Sequence, residues 1–239
     1  MRWSVYAWGL GALCAVIAVG QVVAQEKPGR DKRKPQEKKE GPAKPAGKQE
    51  PGQSEEISPE QKAMIEMMQM MEKLAAPGEN HKLLENLAGQ WTYQVRHWMD
   101  PSKPPEESTG VSSVRAVMGG RYYIGEHKGK MEMPGPDGKP VEREFEGMGI
   151  TGYDNVKEKF CNAWIDSMGT GIFVSEGRYD VGTKTFTYAG EYEMMPGTKI
   201  KVRETIRIID KDKHVLEWFE DHGGGQEVRI MEITFTRRK

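Results

Sequence analysis

A tryptophan and an aspartate two residues apart form the most suggestive pair of functional side chains in this sequence. In the run Phe160–Ser167, Trp164 and Asp166 fall on the same face of a predicted β-strand, because successive side chains of a strand alternate between its two faces. A carboxylate inside a protein requires a hydrogen-bonding partner, a counter-charge or a ligand. Asp166 beside Trp164 is therefore predicted to make a polar contact with a bound molecule. An internal salt bridge or a turn-capping aspartate would explain the same pattern equally well.

Three further residues are predicted to line the same interior. Glu204 is an isolated acid among the isoleucines and valine that share its strand face through residues 200–208. Tyr153 shares a strand face with two glycines and a threonine, whose small side chains leave room inside. Trp218 lies in the strand-like run 214–221, whose alternation does not show which face is interior. The predicted ligand-binding residues are Tyr153, Trp164, Asp166, Glu204 and Trp218.

The sequence carries no recognised catalytic motif. A glycine-rich phosphate loop, a G-x-S-x-G elbow, an HExxH helix and a CxxC pair are all absent. Cys161 lies in a strand-like run and is predicted to be a small buried apolar residue rather than a nucleophile. No catalytic residue and no metal ligand is assigned, and binding of a small, partly apolar molecule is the predicted function. One alternative is a barrel enzyme acting on a small organic substrate through Asp166, Glu204 or a histidine.

The charge distribution argues against nucleic acid as a partner. Residues 51–239 contain 25 Lys and Arg against 31 Asp and Glu, so the part of the chain with a foldable composition is acidic. Proteins that bind nucleic acid usually carry a basic surface on the folded domain itself. The predicted partner is therefore a small molecule and not a nucleic acid.

The elements that must position these residues are predicted to be the strands of a β-barrel over residues 79–239. From Trp91 onward, hydrophobic residues alternate with a period of two through about ten runs separated by short turn signals. No helical stretch long enough for a parallel crossover intervenes, so the sheet must be antiparallel. The predicted fold is all-β, an up-and-down barrel that removes its own exposed edges by closing. Its closure is assigned to Gly89, Trp91 and Arg237, with an arginine of the last strand stacked on the indole of the first.

A methionine-rich amphipathic helix is predicted over residues 58–76, followed by a second short helix before the barrel. Ser58, Pro59 and Gln61 form a helix start with a capping box, and Pro77 and Gly78 end the helix. Methionines recur at spacings of three and four along one face, which predicts packing on the barrel or on a protein partner. An interaction module that uses this helix and has a filled barrel is a further alternative. Copper(I) binding by thioethers is another interpretation of the methionines.

The N-terminus is predicted to direct export. Residues 1–24 read as a signal peptide, with Arg2 followed by an apolar run and a small-residue cleavage site before Gln25. An uncleaved membrane anchor is the alternative interpretation of the same run. Residues 25–57, rich in Lys, Pro, Gly and Glu, are predicted to be a disordered linker. The mature chain is then expected to lack a membrane span and to be periplasmic or secreted.

The Gly-x-Trp start and the arginine at the end of the barrel resemble the signature of the calycin, or lipocalin-like, barrels. Over about two-thirds of the chain the sequence also resembles DUF1579, a family of bacterial proteins of unknown function. A resemblance to nitrobindin implies haem held by a histidine on the last strand. The last strand here contains no histidine, so no cofactor is assigned. The pieces that carry the DUF1579 resemblance are His81-Lys82-x-Leu84, Gly89-Gln90-Trp91, Gly119-Gly120-Arg121, Gly152-Tyr153-Asp154, Trp164-Ile165-Asp166-Ser167 and Glu232-x-Thr234 with Arg237.

Overall fold

The structure, a computed structural model, describes residues 57–239. The predicted signal peptide and all but the end of the predicted linker lie outside the described residues. The described residues fall into two compact units, residues 57–70 and Met71–Lys239. Helix α1 spans Pro59–Ala75 and none of its residues is buried. It begins with the predicted capping box. The backbone amide of Gln61 donates to Ser58 Oγ at 3.2 Å, and the backbone amide of Ser58 donates to Gln61 Oε1 at 2.8 Å.

Ten β-strands follow a short helix α2, Glu79–Leu83, and a 3₁₀ turn, Leu84–Leu87. A second 3₁₀ turn, Met118–Gly120, separates the second and third strands. The strands are β1 Gly89–His97, β2 Glu106–Val117, β3 Tyr122–Pro134, β4 Pro140–Asp154, β5 Lys159–Asp166, β6 Phe173–Asp180, β7 Thr185–Met195, β8 Thr198–Asp210, β9 Lys213–Asp221 and β10 Val228–Arg237.

Each strand pairs with its neighbours in sequence, and β1 pairs with β10 to close the barrel. All ten pairings are antiparallel. The predicted all-β, antiparallel, up-and-down, calycin-like barrel of about ten strands is therefore confirmed. Because every connection is a hairpin or a short loop, each strand contributes its alternate residues to a single shared interior.

The end of the barrel that carries α2 and the 3₁₀ turn is packed solid. Leu84 of this turn is fully buried against aromatic side chains of the strands, among them Phe160, Phe186 and Tyr188. A second cluster next to it contains Trp91, Tyr93 and Phe235, from the two strands that close the barrel. Helix α2 and the 3₁₀ turn, residues 79–87, are called the helical segment below, and they cover this end of the barrel. The two clusters packed at this end form the floor of the interior.

Gly89, Trp91 and Arg237 meet at the closed end. The Trp91 indole Nε1–H donates to the Leu87 carbonyl at 3.0 Å, and the Arg237 guanidinium lies 4.1 Å from the centre of the indole. Arg237 also donates to the Ala88 carbonyl at 2.8 Å. Gly89 has a φ of 135°, and a β-carbon at this position would overlap the guanidinium of Arg237. Only glycine therefore allows the arginine to reach the first strand.

No helix within residues 57–239 is long and apolar enough to span a lipid bilayer.

Candidate ligand-binding cavity

The barrel encloses a cavity of about 460 Å³ above the packed floor. Side chains from all ten strands line it, and Leu84 and Leu87 of the helical segment form its base. The lining is mainly apolar and aromatic, with a small number of polar and titratable groups. Cavities of this size and character are typical of small-molecule sites. The cavity counts against the filled barrel that the interaction-module alternative assumed.

Four of the five residues predicted as ligand contacts lie in the cavity wall: Trp164, Asp166, Glu204 and Trp218. Tyr153 lies elsewhere and packs on the closed end. Its ring is 4.9 Å from Phe160 and 5.7 Å from the imidazole of His81 in α2. The alternation assigned Tyr153 to the inner face, but Tyr153 sits near the end of β4 where the helical segment fills the interior.

Asp166 has its hydrogen-bond partners within its own segment of the chain. Its Oδ2 accepts from the Trp164 indole Nε1–H at 2.8 Å, and its Oδ1 accepts from the Met168 amide at 2.9 Å. The second bond is the turn-capping role considered from the sequence. No salt bridge links Asp166 to another residue in the described range. The aspartate therefore fixes the orientation of Trp164, whose ring covers the position where Gly147 lacks a side chain.

Glu204 is the one carboxyl that faces the cavity without a partner among the described residues. Its side chain is only 6% exposed, and it makes no hydrogen bond or ion pair with any of them. Removal from water disfavours the charged form, which raises the pKa of Glu204 to about 7. On the neighbouring strands its partners in register are Tyr188 of β7 and Trp218 of β9. The carboxyl thus lies between two inward-facing aromatic residues.

Two histidines in the cavity wall were not assigned as ligand contacts from the sequence. Desolvation lowers the pKa of His127 to about 4 and, with the nearby Arg237 charge, the pKa of His214 to about 3. His214 stacks on Phe235 with the ring centres 4.5 Å apart, and its Nδ1 is buried without a partner in the described residues. His127 meets the edge of Trp164 at 5.2 Å. Both imidazoles are therefore neutral at physiological pH.

The sequence indicates only in part that His127 and His214 face the interior. His214 alternates with two residues that turned out to be interior, Leu216 and Trp218, but the opposite face of β9 is just as apolar. His127 stands between Gly125 and Gly129 on the inner face of β3. The two glycines on the same strand face leave room for an imidazole inside the barrel. This pattern is the feature of the sequence from which His127 could be predicted as a cavity residue.

Trp218 is held by a network at the end of the barrel away from the helical segment. Its indole Nε1–H donates to Glu220 Oε1 at 3.0 Å, and the Tyr192 hydroxyl donates to the same oxygen at 2.8 Å. His222 Nε2 lies 3.0 Å from the other oxygen of Glu220. Burial and this contact with Glu220 raise the pKa of Tyr192. The network leaves Trp218 with one fixed orientation in the wall.

No cluster of three or more His, Cys, Asp or Glu side chains suited to a metal ion occurs in residues 57–239. For haem, the last strand lacks the histidine that the nitrobindin resemblance implies. His214 and His222 lie at the two ends of the preceding strand and are the histidines nearest to the last strand in sequence. His222 is exposed, with 53% of its side chain accessible. His214 lies in the cavity wall on β9, not on the last strand, and its Nδ1 is buried without a partner in the described residues. The residues present do not reproduce the ligand that the resemblance implies.

The fold and the site together define a calycin-like barrel with an internal cavity. The family described as protein of unknown function, DUF1579, matches residues 76–237, and the chain belongs to this family.

Solved structures similar to this chain include a protein from M. tuberculosis and a phycobiliprotein lyase from Guillardia theta. The crystal structure of Rv2717c from M. tuberculosis shares 15% identity, over 69% of this chain and 100% of that chain, with a TM-score of 0.48. The S-type phycobiliprotein lyase CPES from Guillardia theta shares 13% identity, over 66% of this chain and 92% of that chain, with a TM-score of 0.42. The comparison with curated proteins gave no match.

Proposed function

We propose that this protein binds a small, partly apolar molecule inside the barrel. The observation that carries the proposal is the cavity of about 460 Å³, which is lined by aromatic and aliphatic side chains and holds few polar groups. Burial of apolar surface supplies the affinity in such a site, and the polar groups set the orientation of the ligand. Trp164, held by Asp166, and Trp218, held by Glu220, provide two rigid aromatic surfaces in the cavity wall. Neither surface has to reorganise when a ligand enters.

Acid–base catalysis in the same cavity is the second candidate. A general acid or base works best when its pKa is near the working pH, and burial brings the pKa of Glu204 to about 7. A substrate bound between Glu204 and the neutral imidazole of His214 or His127 would have a proton acceptor on each side. Loss of turnover in Glu204→Gln with ligand binding retained would favour catalysis over simple binding.

Filling the cavity is expected to abolish binding. Gly149 lines the cavity, and a β-carbon there would lie 3.4 Å from the Trp164 ring, an ordinary van der Waals distance. Gly149→Leu should therefore fold and project a side chain into the ligand space. We expect the Kd of a neutral apolar dye such as Nile red, measured by fluorescence, to rise about tenfold or more. Native mass spectrometry should show a retained small molecule in the wild type that is lost in the variant.

The matched control is Ile150→Leu, because Ile150 is the next residue along β4 and faces outward with 45% of its surface exposed. It should bind the dye as the wild type does. Equal dye affinity in Gly149→Leu and Ile150→Leu would place the dye outside the barrel and contradict the proposal. The exposed methionines of α1 are the same in both variants, so dye bound there cancels in the comparison.

Export is part of the proposal and rests on the sequence of residues 1–24. A charged start, an apolar run and a small-residue site are the features that a signal peptidase recognises. We expect the protein isolated from its host's envelope or medium to begin at Gln25, as measured by N-terminal sequencing. An intact Met1 or Arg2 terminus on membrane-bound protein would support the anchor alternative instead.

A further inference from the structure

The charged groups of the cavity wall that lack a counter-charge among the described residues are carboxyls. No arginine lines it, and the lysine in its wall, Lys130, is engaged by Glu142 at 2.6 Å and Glu144 at 3.7 Å. The two cavity histidines are neutral, as described above. Two carboxyls face the cavity without a counter-charge among the described residues. Asp166 accepts hydrogen bonds from the Trp164 indole and the Met168 amide, whereas Glu204 has no partner of either kind. An anionic ligand such as a fatty acid would meet a carboxyl and no free cation.

The surroundings of Glu204 suit a positively charged group. Trp218 contributes a large aromatic surface to the cavity on one side, and its indole is fixed by Glu220. Tyr188, the register partner of Glu204 on β7, is buried in the packed floor and does not line the cavity, so Trp218 is the aromatic surface that a ligand group at Glu204 would meet. Ammonium groups bind favourably to aromatic faces, and most strongly where water is excluded. A carboxylate together with such aromatic faces is a typical recognition site for an amine.

We propose that the ligand of this cavity carries a protonated amine, which binds the Glu204 carboxylate beside the Trp218 ring while the apolar body of the ligand occupies the space toward Trp164 and Phe235. This inference rests on the proposed function and specifies its ligand class. An unpaired buried carboxyl is costly in an apolar interior, and a cationic nitrogen is the partner that removes this cost. A neutral ligand would leave the carboxyl unpaired.

The test compares three ligands that share one ring system. Tryptamine carries an ammonium, tryptophol a hydroxyl and indole-3-acetate a carboxylate on the same indole. By isothermal titration calorimetry at pH 7, we expect the full-length protein to bind tryptamine about thirtyfold or more tightly than tryptophol. Indole-3-acetate is expected to bind more weakly than either. This comparison needs no variant.

Glu204→Gln should remove the preference. It keeps the shape of the side chain and removes its charge, so tryptamine should weaken about thirtyfold or more while tryptophol changes little. Glu193→Gln, an exposed carboxyl on β7, is the matched control and should leave both affinities unchanged.

Because burial leaves Glu204 about half protonated at pH 7, binding of tryptamine should release about half a proton. Titrations in phosphate and in Tris buffer measure this release, which Glu204→Gln should lose.

The proton release reports on Glu204 because the titratable groups on the inner face around it keep their protonation. His127 and His214 are already neutral at pH 7, and burial holds the pKa of the Tyr188 phenol well above its ordinary value.

The outcomes separate the two proposals. If tryptophol binds as well as tryptamine, and Glu204→Gln does not change this, the cavity binds ligands but the amine inference is wrong. If none of the three indoles binds and Nile red does not distinguish Gly149→Leu from Ile150→Leu, both proposals fail. Tighter binding of indole-3-acetate than of tryptamine would also overturn the amine inference.

Discussion

Replacing Trp91 with alanine is expected to lower the free energy of unfolding by roughly 3–5 kcal/mol, the range for truncating a large buried aromatic side chain. Trp91 is 1% exposed and joins three parts of the chain at the closed end. Its indole binds the Leu87 carbonyl, supports the Arg237 guanidinium and meets the edge of His214 at 4.5 Å. Alanine would leave a cavity in the floor and an arginine without its aromatic surface. Urea denaturation followed by far-ultraviolet circular dichroism measures the change.

Two control variants separate these contributions. Trp91→Phe keeps an aromatic surface for Arg237 and loses the hydrogen bond to Leu87, so it should cost less than half as much as alanine. Trp98 also stacks on arginines, with Arg96 and Arg229 at 4.9 and 4.8 Å, but it is a partly exposed residue outside the floor. Trp98→Ala should therefore cost far less than Trp91→Ala. Similar losses for the two alanine variants would show that Trp91 is not the closing residue.

Acid is expected to destabilise this barrel through its buried imidazoles. An unfolded histidine has a pKa of about 6.5, and the folded values for His127 and His214 are lowered to about 4 and about 3. The unfolded state therefore binds more protons between pH 6.5 and 3, and stability is lost as the pH falls through this range. From pH 7 to pH 4 each imidazole should cost roughly 2–3 kcal/mol.

Glu204 acts in the opposite direction. Its folded pKa is raised to about 7 from the ordinary value of 4.5, so the folded state binds a proton more tightly between these values. Its contribution to stability therefore increases as the pH falls from 7 to 4.5 and offsets about one of the two imidazoles. The net effect on the wild type is a loss of stability toward pH 4. Glu204→Gln should make this loss steeper, because it removes the compensating group.

His214→Phe is the variant that tests this account. Phenylalanine can keep the stack on Phe235 and cannot take up a proton, so the difference in stability between pH 7 and pH 4 should shrink by roughly 2–3 kcal/mol. Denaturant titrations at pH 7, 6, 5 and 4, followed by tryptophan fluorescence, measure it. An unchanged pH dependence in His214→Phe would contradict the assignment.

The architecture could be predicted from sequence because its determinants are local. Alternation identifies the strands, and turn residues such as those in the DNVKE and DVGTK segments mark where one strand ends and the next begins. Short connections allow only antiparallel neighbours. The structure differs from this prediction where two strands continue to pair through residues that are typical of a turn. The prolines and glycines of residues 131–140 are typical of a longer loop, but β3 and β4 continue pairing up to Pro134 and Pro140, so the loop in the structure is short.

The cavity was harder to predict, because alternation gives two faces but neither the interior face nor the depth along the strand. On β9 both faces are apolar, with Val215 and Phe219 opposite Leu216 and Trp218, so the interior face became clear only from the structure. Tyr153 shows the problem of depth. It lies on the inner side of its strand, yet packed against the helical segment. Glu204 was identified because its contrast with aliphatic neighbours does not depend on depth.

The contact between Arg237 and the Ala88 carbonyl joins positions 149 residues apart. During synthesis, β1 gains its second neighbour only after β10 has been made. Until then the free edge of β1 can pair with other chains. Such long-range closure slows folding. A chain that folds late remains extended for longer, and an extended chain is the form that general secretion machinery carries across a membrane.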